Sequence, residues 1–241
     1  MSPAPELSVI QRSVLRQLSS LSLPASARVL DAPCGAGALT LALREAGFEA
    51  WGADTDSAAA QSLGGHFCRA DLNAAFPWPD GHFEAVFSIE GIEHLESPFA
   101  FLRQAHRVLR PDGRLVVTTP NIVTLRSCMR FFGSGFFGRD TKPFDESSRH
   151  PLHHISLVTF PELRYALHTS GFRLIETTHT HSKPVSYLNA IYAPWMWLYT
   201  VVAFRKEKNP AQRKRNREIL ATLFSHSLLF GECVMLIARK V

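Results

Sequence analysis

Two glycines separated by one residue, Gly35-Ala36-Gly37, follow the short β-rich run Arg28 to Ala32 and precede a helix-forming stretch, Ala38 to Ala46. Without a Cβ at those positions the backbone can turn tightly and approach a ligand, and the helix behind it would offer its N-terminal amides. A dinucleotide site would place a third glycine where this chain has Thr40, so the pattern is GxG without the full GxGxxG. Three acids accompany it: Asp31 four residues before Gly35, Asp54 at the end of the second predicted strand, and Asp71, followed by Leu72, after the third. An acid at the second strand end recognises vicinal hydroxyls, and one at the third can accept from an exocyclic adenine amine. The set reads as an adenosine site without phosphates.

Histidines supply the candidate bases. His94 falls just after the fourth predicted strand, at the crevice edge, where an imidazole could take a proton from a nucleophile; the plainer alternative is a histidine that caps a helix or orients a loop. His150, His153 and His154 form an HxxHH cluster beside Asp145 and Glu146. That composition could bind a metal, but the spacing is loose and no cysteine joins it, so no metal is expected. The cluster is read instead as part of a substrate-facing flap in which His154 is a second base candidate, with surface hydrogen-bonding histidines as the alternative.

These residues need a scaffold. Leu7, Ile10, Val14, Leu18 and Leu21 predict an amphipathic N-terminal helix. Strands are expected near Arg28–Ala32, Phe48–Ala53, His66–Ala70, Phe83–Ile89, Arg114–Thr119, Phe172–Thr178 and Glu232–Ala238. Helices are expected at Ala38–Ala46 and Ser57–Leu63, from Ser97-Pro98, and from the capping-box pattern Thr159-Phe-Pro-Glu162. Strands alternating with helices make an open α/β sheet whose ligand crevice lies at the carboxyl ends of the first strands. The stretch Asn121 to Leu152, rich in Phe and Gly, reads as the least regular part, a mobile flap.

The ordered stretches Val29-Leu-Asp-Ala-Pro-Cys-Gly-Ala-Gly37, Gly52-Ala-Asp54, Arg69-Ala-Asp-Leu72, Phe76-Pro-Trp-Pro-Asp-Gly-His-Phe83, Ile89-Glu-Gly-Ile-Glu-His-Leu95 and Arg107-Val-Leu-Arg-Pro-Asp-Gly-Arg-Leu115 resemble the class I S-adenosylmethionine-dependent methyltransferases. The resemblance covers about Arg28 to Asn121 and is most similar to the branch that holds ubiquinone-biosynthesis O-methyltransferases and glycan-cluster methyltransferases. It implies a Rossmann-like, seven-stranded, mostly parallel sheet with an antiparallel last strand and helices on both faces. It also implies S-adenosylmethionine as cofactor. Asp31, Pro33, Cys34, Gly35, Ala36 and Gly37 would lie along its methionine part, Asp54 and Thr55 at its ribose, and Asp71 and Leu72 around its adenine. Ser88, Ile89 and Glu90 would complete the pocket. Pro33 departs from the family's usual small or apolar residue, which stiffens the turn and removes an amide.

Composition bounds the rest. The chain has 241 residues, 46% hydrophobic and 20% charged, with a formal net charge of +5, which fits one domain and excludes disordered, collagenous and disulfide-scaffold classes. Cys34, Cys68, Cys128 and Cys233 show no pairing pattern, and the N-terminus lacks a secretory signature, so a cytoplasmic protein is expected. The basic excess is local: Arg205 to Arg217 holds seven Lys or Arg against Glu207, leaving the remainder about neutral, and no nucleic-acid partner is expected. Just before it, Pro184 to Phe204 carries no charge and contains two Trp and three Tyr. A single membrane span is excluded because the strands on either side must join one sheet. The segment suits a lid over a hydrophobic substrate or a peripheral contact, through 184–217, with the inner face of a membrane; a buried helix pair or a homodimer interface are the alternatives.

The expected organisation is a single domain over 1–241: an N-terminal helix in 1–24, a cofactor-binding half over 25–121, a flap over 122–158, and a C-terminal part over 159–241 with a helical insertion at 184–226. The expected function is O-methylation of a small or lipid-linked acceptor, a quinone precursor or envelope-glycan sugar. A nucleotide-dependent oxidoreductase, disfavoured by Thr40, and a methyltransferase fold without turnover are the competing readings.

Overall fold

A computed structural model of the chain describes residues 5–137, 143–147 and 153–241. Seven strands form one sheet: β1 (Arg28–Asp31), β2 (Glu49–Asp54), β3 (Phe67–Arg69), β4 (Phe83–Ile89), β5 (Leu109–Pro120), β6 (Phe172–His179) and β7 (Cys233–Lys240). Their order is β3-β2-β1-β4-β5-β7-β6. The first five strands run parallel, and β7 is antiparallel to both β5 and β6. The chain therefore moves outward from β1 to β3 and returns to β4 on the other side of β1, and a crevice opens where that direction reverses.

Alternation along the strands builds two cores. Val29, Ala85, Phe87, Ile89, Val116 and Ile237 face one side, and Leu30, Val86, Leu115, Val117, Leu236 and Ala238 face the other. The first face is covered by α1 (Val9–Arg16) and α2 (Ala38–Glu45), through Val14, Leu39 and Leu43. The second is covered by α4 (Pro98–Val108) and α6 (Phe160–Thr169), through Phe101, Leu102, Leu163 and Leu167. A strand covered on both faces is nearly apolar throughout, which is why Phe83 to Ile89, polar only at Glu84 and Ser88, is legible as a strand. Between α2 and α4 lies a single short helix, α3 (Ala60–Leu63).

Caps fix the helix starts. Ser8 and Gln11 form a capping box at α1, Thr159 and Glu162 form the one expected at α6, and Ser97 caps α4 ahead of Pro98. Three elements differ from the sequence reading. Within the stretch read as irregular, Leu125–Ser134 is a helix, α5, capped by Thr124 and closed by Gly135 at φ +74°. Strand β5 starts at Leu109, not Arg114, and absorbs Pro111-Asp-Gly113 as an irregularity where its register against β4 shifts. The helical insertion expected at 184–226 is broken into pieces: a 3-10 run, Pro184–Tyr192, leads into α7 (Ala193–Phe204), with Pro194 in its first turn, followed by α8 (Pro210–Leu223) and α9 (His226–Phe230). Neither α7 nor α8 has a fully buried residue, and of the two only α8 packs on the core, through half-buried Ile219 and Leu223, so the insertion is not a buried helix pair.

Candidate active site

The loop after β1 is set by its own backbone and by one hydroxyl. Gly35 and Gly37 sit at φ +53° and +86°, where residues with a Cβ are strained. A Cβ at Gly37 would press on Ala59 and Leu63 at 3.3 Å, whereas one at Gly35 would meet nothing within 4 Å, because that side opens to the crevice. Thr40, the residue that replaces the third glycine, donates its hydroxyl to Asp31 Oδ2 at 2.7 Å. Asp31 is buried, and burial pushes its carboxyl up to about 7; the Thr40 hydrogen bond opposes that rise and the charge of Asp54 adds to it.

Neighbouring strand ends converge on this loop. Asp54 Oδ2 accepts the Gly35 N–H at 2.8 Å and Asp54 Oδ1 accepts the Asp56 N–H at 3.0 Å, so the carboxylate is held at the crevice while retaining lone pairs for a ligand. Thr55 is 3.5 Å from Asp54 Oδ1 through its hydroxyl, and its carbonyl accepts from Arg69 Nε. Cys34 N–H donates to the Ala53 carbonyl, tying the loop to β2, and burial pushes the Cys34 thiol well above the usual thiol range. Ala70 N–H bonds the Asp54 carbonyl, which brings the Asp71-Leu72 pair alongside. Asp71 Oδ1 accepts from the Asn73 backbone at 2.9 Å, while Leu72 is buried as an apolar wall.

The end of β4 closes the far side. Ser88 is fully buried with its hydroxyl unpaired by any described residue. Glu90 adopts φ +51°, uncommon for a residue with a side chain, and its N–H reaches Thr118 Oγ1 at 3.0 Å. Gly91 lies so close to Pro33 that a Cβ there would fall 2.1 Å from the Pro33 ring. The proline is thus the wall against which the turn after β4 packs. A buried carboxylate, Asp31, and a half-buried one, Asp54, at adjacent strand ends, an unpaired buried hydroxyl and an open glycine turn fit a ligand with vicinal hydroxyls and a cationic tail.

Beside this crevice is a cavity of about 100 Å³ whose lining includes Glu90, Pro120, Arg126, His154, Lys183 and Glu232. Ile10 of α1 lines it too, so the N-terminal helix shapes a site as well as covering the core. Glu232 ties the lining together, pairing with Arg126 at 3.3 Å and Lys183 at 3.0 Å. Burial raises the Glu232 carboxyl, but Lys183 and Arg126 outweigh it and hold the group below its ordinary value. Cys233 donates to Glu90 Oε2 at 3.6 Å.

His154 reaches this wall because the segment around it docks on the turn after β4: Ser156 N–H donates to the Glu93 carbonyl, and Ser156 Oγ donates to the Leu95 carbonyl. His94 stands behind His154, ring centroids 4.9 Å apart, with its Nδ1 3.1 Å from the His153 carbonyl. A carbonyl only accepts, so Nδ1 carries the proton and Nε2 the lone pair in the neutral ring. Glu93, His94 and His154 each offer one ligand atom, all within 4.8 Å of one another. The Glu93 carboxylate is buried without a hydrogen bond from the described residues; burial first, and the charge of Glu90 second, push it up.

Of the histidine cluster, then, His154 joins His94. His153 packs against Phe144, Asp145 caps its own turn through Ser147, and His150 lies outside the described residues. Sequence reading passed over Glu93, Arg126, Lys183 and Glu232. The signal for Glu93 is an acid between Ile92 and His94, in the turn that follows a nearly apolar strand.

A sequence model described as "Methyltransferase domain" matches residues 8–177, well over half of the chain. The chain belongs to that methyltransferase family. A "Probable S-adenosylmethionine-dependent methyltransferase" of Mycolicibacterium smegmatis is 30% identical over 155 residues, covering 62% of this chain and 53% of that protein. A ubiquinone biosynthesis O-methyltransferase of Xanthomonas axonopodis is 25% identical over 134 residues, covering 52% of this chain and 56% of that one. The chain thus spans about half the length of these curated relatives. Among solved structures, a SAM-dependent methyltransferase from Archaeoglobus fulgidus superposes with a TM-score of 0.60 at 20% identity, over 97% of this chain and 95% of that one. The expected family and the Rossmann-like methyltransferase fold are both found, and the oxidoreductase reading is set aside.

Proposed function

We propose that this methyltransferase-family protein binds S-adenosylmethionine in the crevice and transfers its methyl group to an oxygen of a small or lipid-linked acceptor held in the His154 cavity. Quinone precursors and envelope-glycan sugars are the leading acceptor classes, met at the cytoplasmic face of a membrane. The observation that carries the reading is adjacency: Glu90 both closes the crevice with its backbone and lines the cavity. When bound, the cofactor supplies a methyl on a sulfonium, and an in-line displacement asks the protein mainly for positioning.

The chain's residues supply the rest. Asp54, fixed by two backbone amides, accepts from the ribose hydroxyls. Asp31, aligned by Thr40, faces the cationic end, Leu72 walls the adenine, and Asp71 accepts from its amine. His154 takes the acceptor's proton at the cavity wall, a role worth about 10²–10⁴ in rate. His94 receives that proton on Nε2 while the His153 carbonyl holds its ring, and the Glu93 carboxyl, within 4.8 Å of both imidazoles, favours the protonated pair.

A second reading is favoured by the convergence of three donors within 4.8 Å. Glu93, His94 and His154 could hold a divalent cation against the acceptor oxygen. Loss of activity with a chelator, restored by added metal, would select it; insensitivity to chelator and no metal by elemental analysis select the proton relay.

The test of transfer is to incubate the protein with methyl-labelled S-adenosylmethionine and an extract of cells lacking its gene. Label entering a product only when the protein is present is expected, in the organic phase for a quinone or lipid-linked acceptor and in the aqueous phase for a soluble one. Cofactor binding without any labelled product would instead support a fold that has lost turnover.

A further inference from the structure

Helix α7 is apolar yet uncovered. Between Pro184 and Phe204 there is no charged residue, and Leu188, Ile191, Trp195 and Tyr199 are each at least 70% exposed. A contiguous exposed apolar surface of this kind marks a partner. Twelve residues of α-helix extend about 18 Å, short of the roughly 30 Å of a bilayer core, and no described helix is long and apolar enough to cross a membrane. Trp and Tyr favour the headgroup level, where one end of the ring is wet and the other dry.

The charge next to α7 is complementary to an anionic partner. The thirteen residues from Arg205 to Arg217 hold seven Lys or Arg against one acid. A cleft of about 270 Å³ separates α7 from α8, floored by Val201, Phe204 and Leu220 and edged by Arg205, Arg213 and Arg217. Among the described residues no carboxylate pairs with any of these three guanidiniums; the ion pairs lie elsewhere, and Arg213 Nε donates only to the Glu207 carbonyl. Three guanidiniums above an apolar floor match a phosphate attached to acyl chains.

We propose that α7 and α8 form a membrane-docking hairpin, with α7 lying in the headgroup boundary of an anionic bilayer and the cleft taking the phosphate of one phospholipid. The 3-10 run that leads into the hairpin leaves the sheet beside the acceptor cavity, because His181 and Lys183, just before it, line that cavity. A docked hairpin therefore brings the cavity next to the bilayer. The inference stands whether or not methyl transfer does, since its readout is binding.

The experiment is co-sedimentation with phosphatidylglycerol-containing vesicles and with pure phosphatidylcholine vesicles, at low and high salt. Binding to the anionic vesicles alone, weakened by salt and accompanied by a blue shift of tryptophan emission, is expected. Arg213→Gln and Arg217→Gln should each lower the partition coefficient about fivefold. Trp195→Ala should lower it with no change in thermal midpoint, since its side chain packs in no core. Inorganic phosphate at matched ionic strength should leave the protein on the vesicles; full release would show that the cleft serves free phosphate and would overturn the proposal. So would absence of binding to anionic vesicles at low salt, as would a dimer dissociated by Leu198→Asp in a protein that ignores vesicles.

Discussion

The crevice at the ends of β1, β2 and β4 and the hairpin of α7 and α8 are built on opposite rules. In the crevice nearly every residue is constrained by a neighbour: Gly91 by Pro33, Gly37 by Leu63, Asp31 by Thr40, Asp54 by Gly35. In the hairpin large apolar side chains are exposed, and among the described residues no carboxylate pairs with Arg205, Arg213 or Arg217. A site for a fixed small ligand needs preorganised geometry, and the cost of altering it is high. A surface for a fluid partner needs area and charge, and single changes there leave the fold intact.

Substitutions of similar size should therefore have unequal effects. Gly91→Ala, whose added carbon would fall 2.1 Å from the Pro33 ring, should cost about 3 kcal/mol in urea denaturation and abolish cofactor binding. Asp54→Ala should weaken S-adenosylmethionine binding by about ten- to hundredfold in calorimetry, with a small change in stability. Trp195→Ala in α7 should change stability by no more than about 0.5 kcal/mol. A hairpin substitution as costly as Gly91→Ala would erase the contrast.

The comparison is sharpened by pH. Asp31 has a folded-state value of about 7 against an ordinary 3.8, so it binds a proton more tightly when folded. Its stabilising contribution is complete below about pH 4 and is lost as pH rises through about 7. Asp31→Asn should abolish that loss, raising the thermal midpoint above pH 7 by a few degrees relative to wild type. Cofactor affinity has the opposite sign: the ionised carboxylate favours a cationic ligand, so binding should weaken below about pH 7 by up to tenfold per pH unit, and Asp31→Asn should flatten that dependence. A stability profile unchanged by the substitution would remove Asp31 from the argument.

The same contrast explains what could be read from the sequence. Phe83 to Ile89 is legible because burial on both faces leaves it apolar except at Glu84 and Ser88, and Gly35 to Gly37 because a turn this tight tolerates few residues. Asp31, Asp54 and Asp71 are legible because strand ends put acids at one rim. Helix α5 was not, since exposed Phe131 and Phe132 and the internal Gly133 give it the composition of an irregular segment. The link of Arg126 and Lys183 through Glu232 joins α5 to the residues just before the insertion and just before β7, and no local pattern reports contacts that distant in the chain. His154 meets His94 only because Ser156 docks on the turn after β4, a contact across 61 residues.

The central claim is that the crevice binds the cofactor while the adjacent cavity activates the acceptor through His154. Once the labelled product is in hand, transfer and cofactor affinity should be measured on the same samples of wild type and His154→Ala. Affinity should be unchanged and turnover reduced by about 10²-fold or more in the variant. Equal turnover in the two proteins would contradict it.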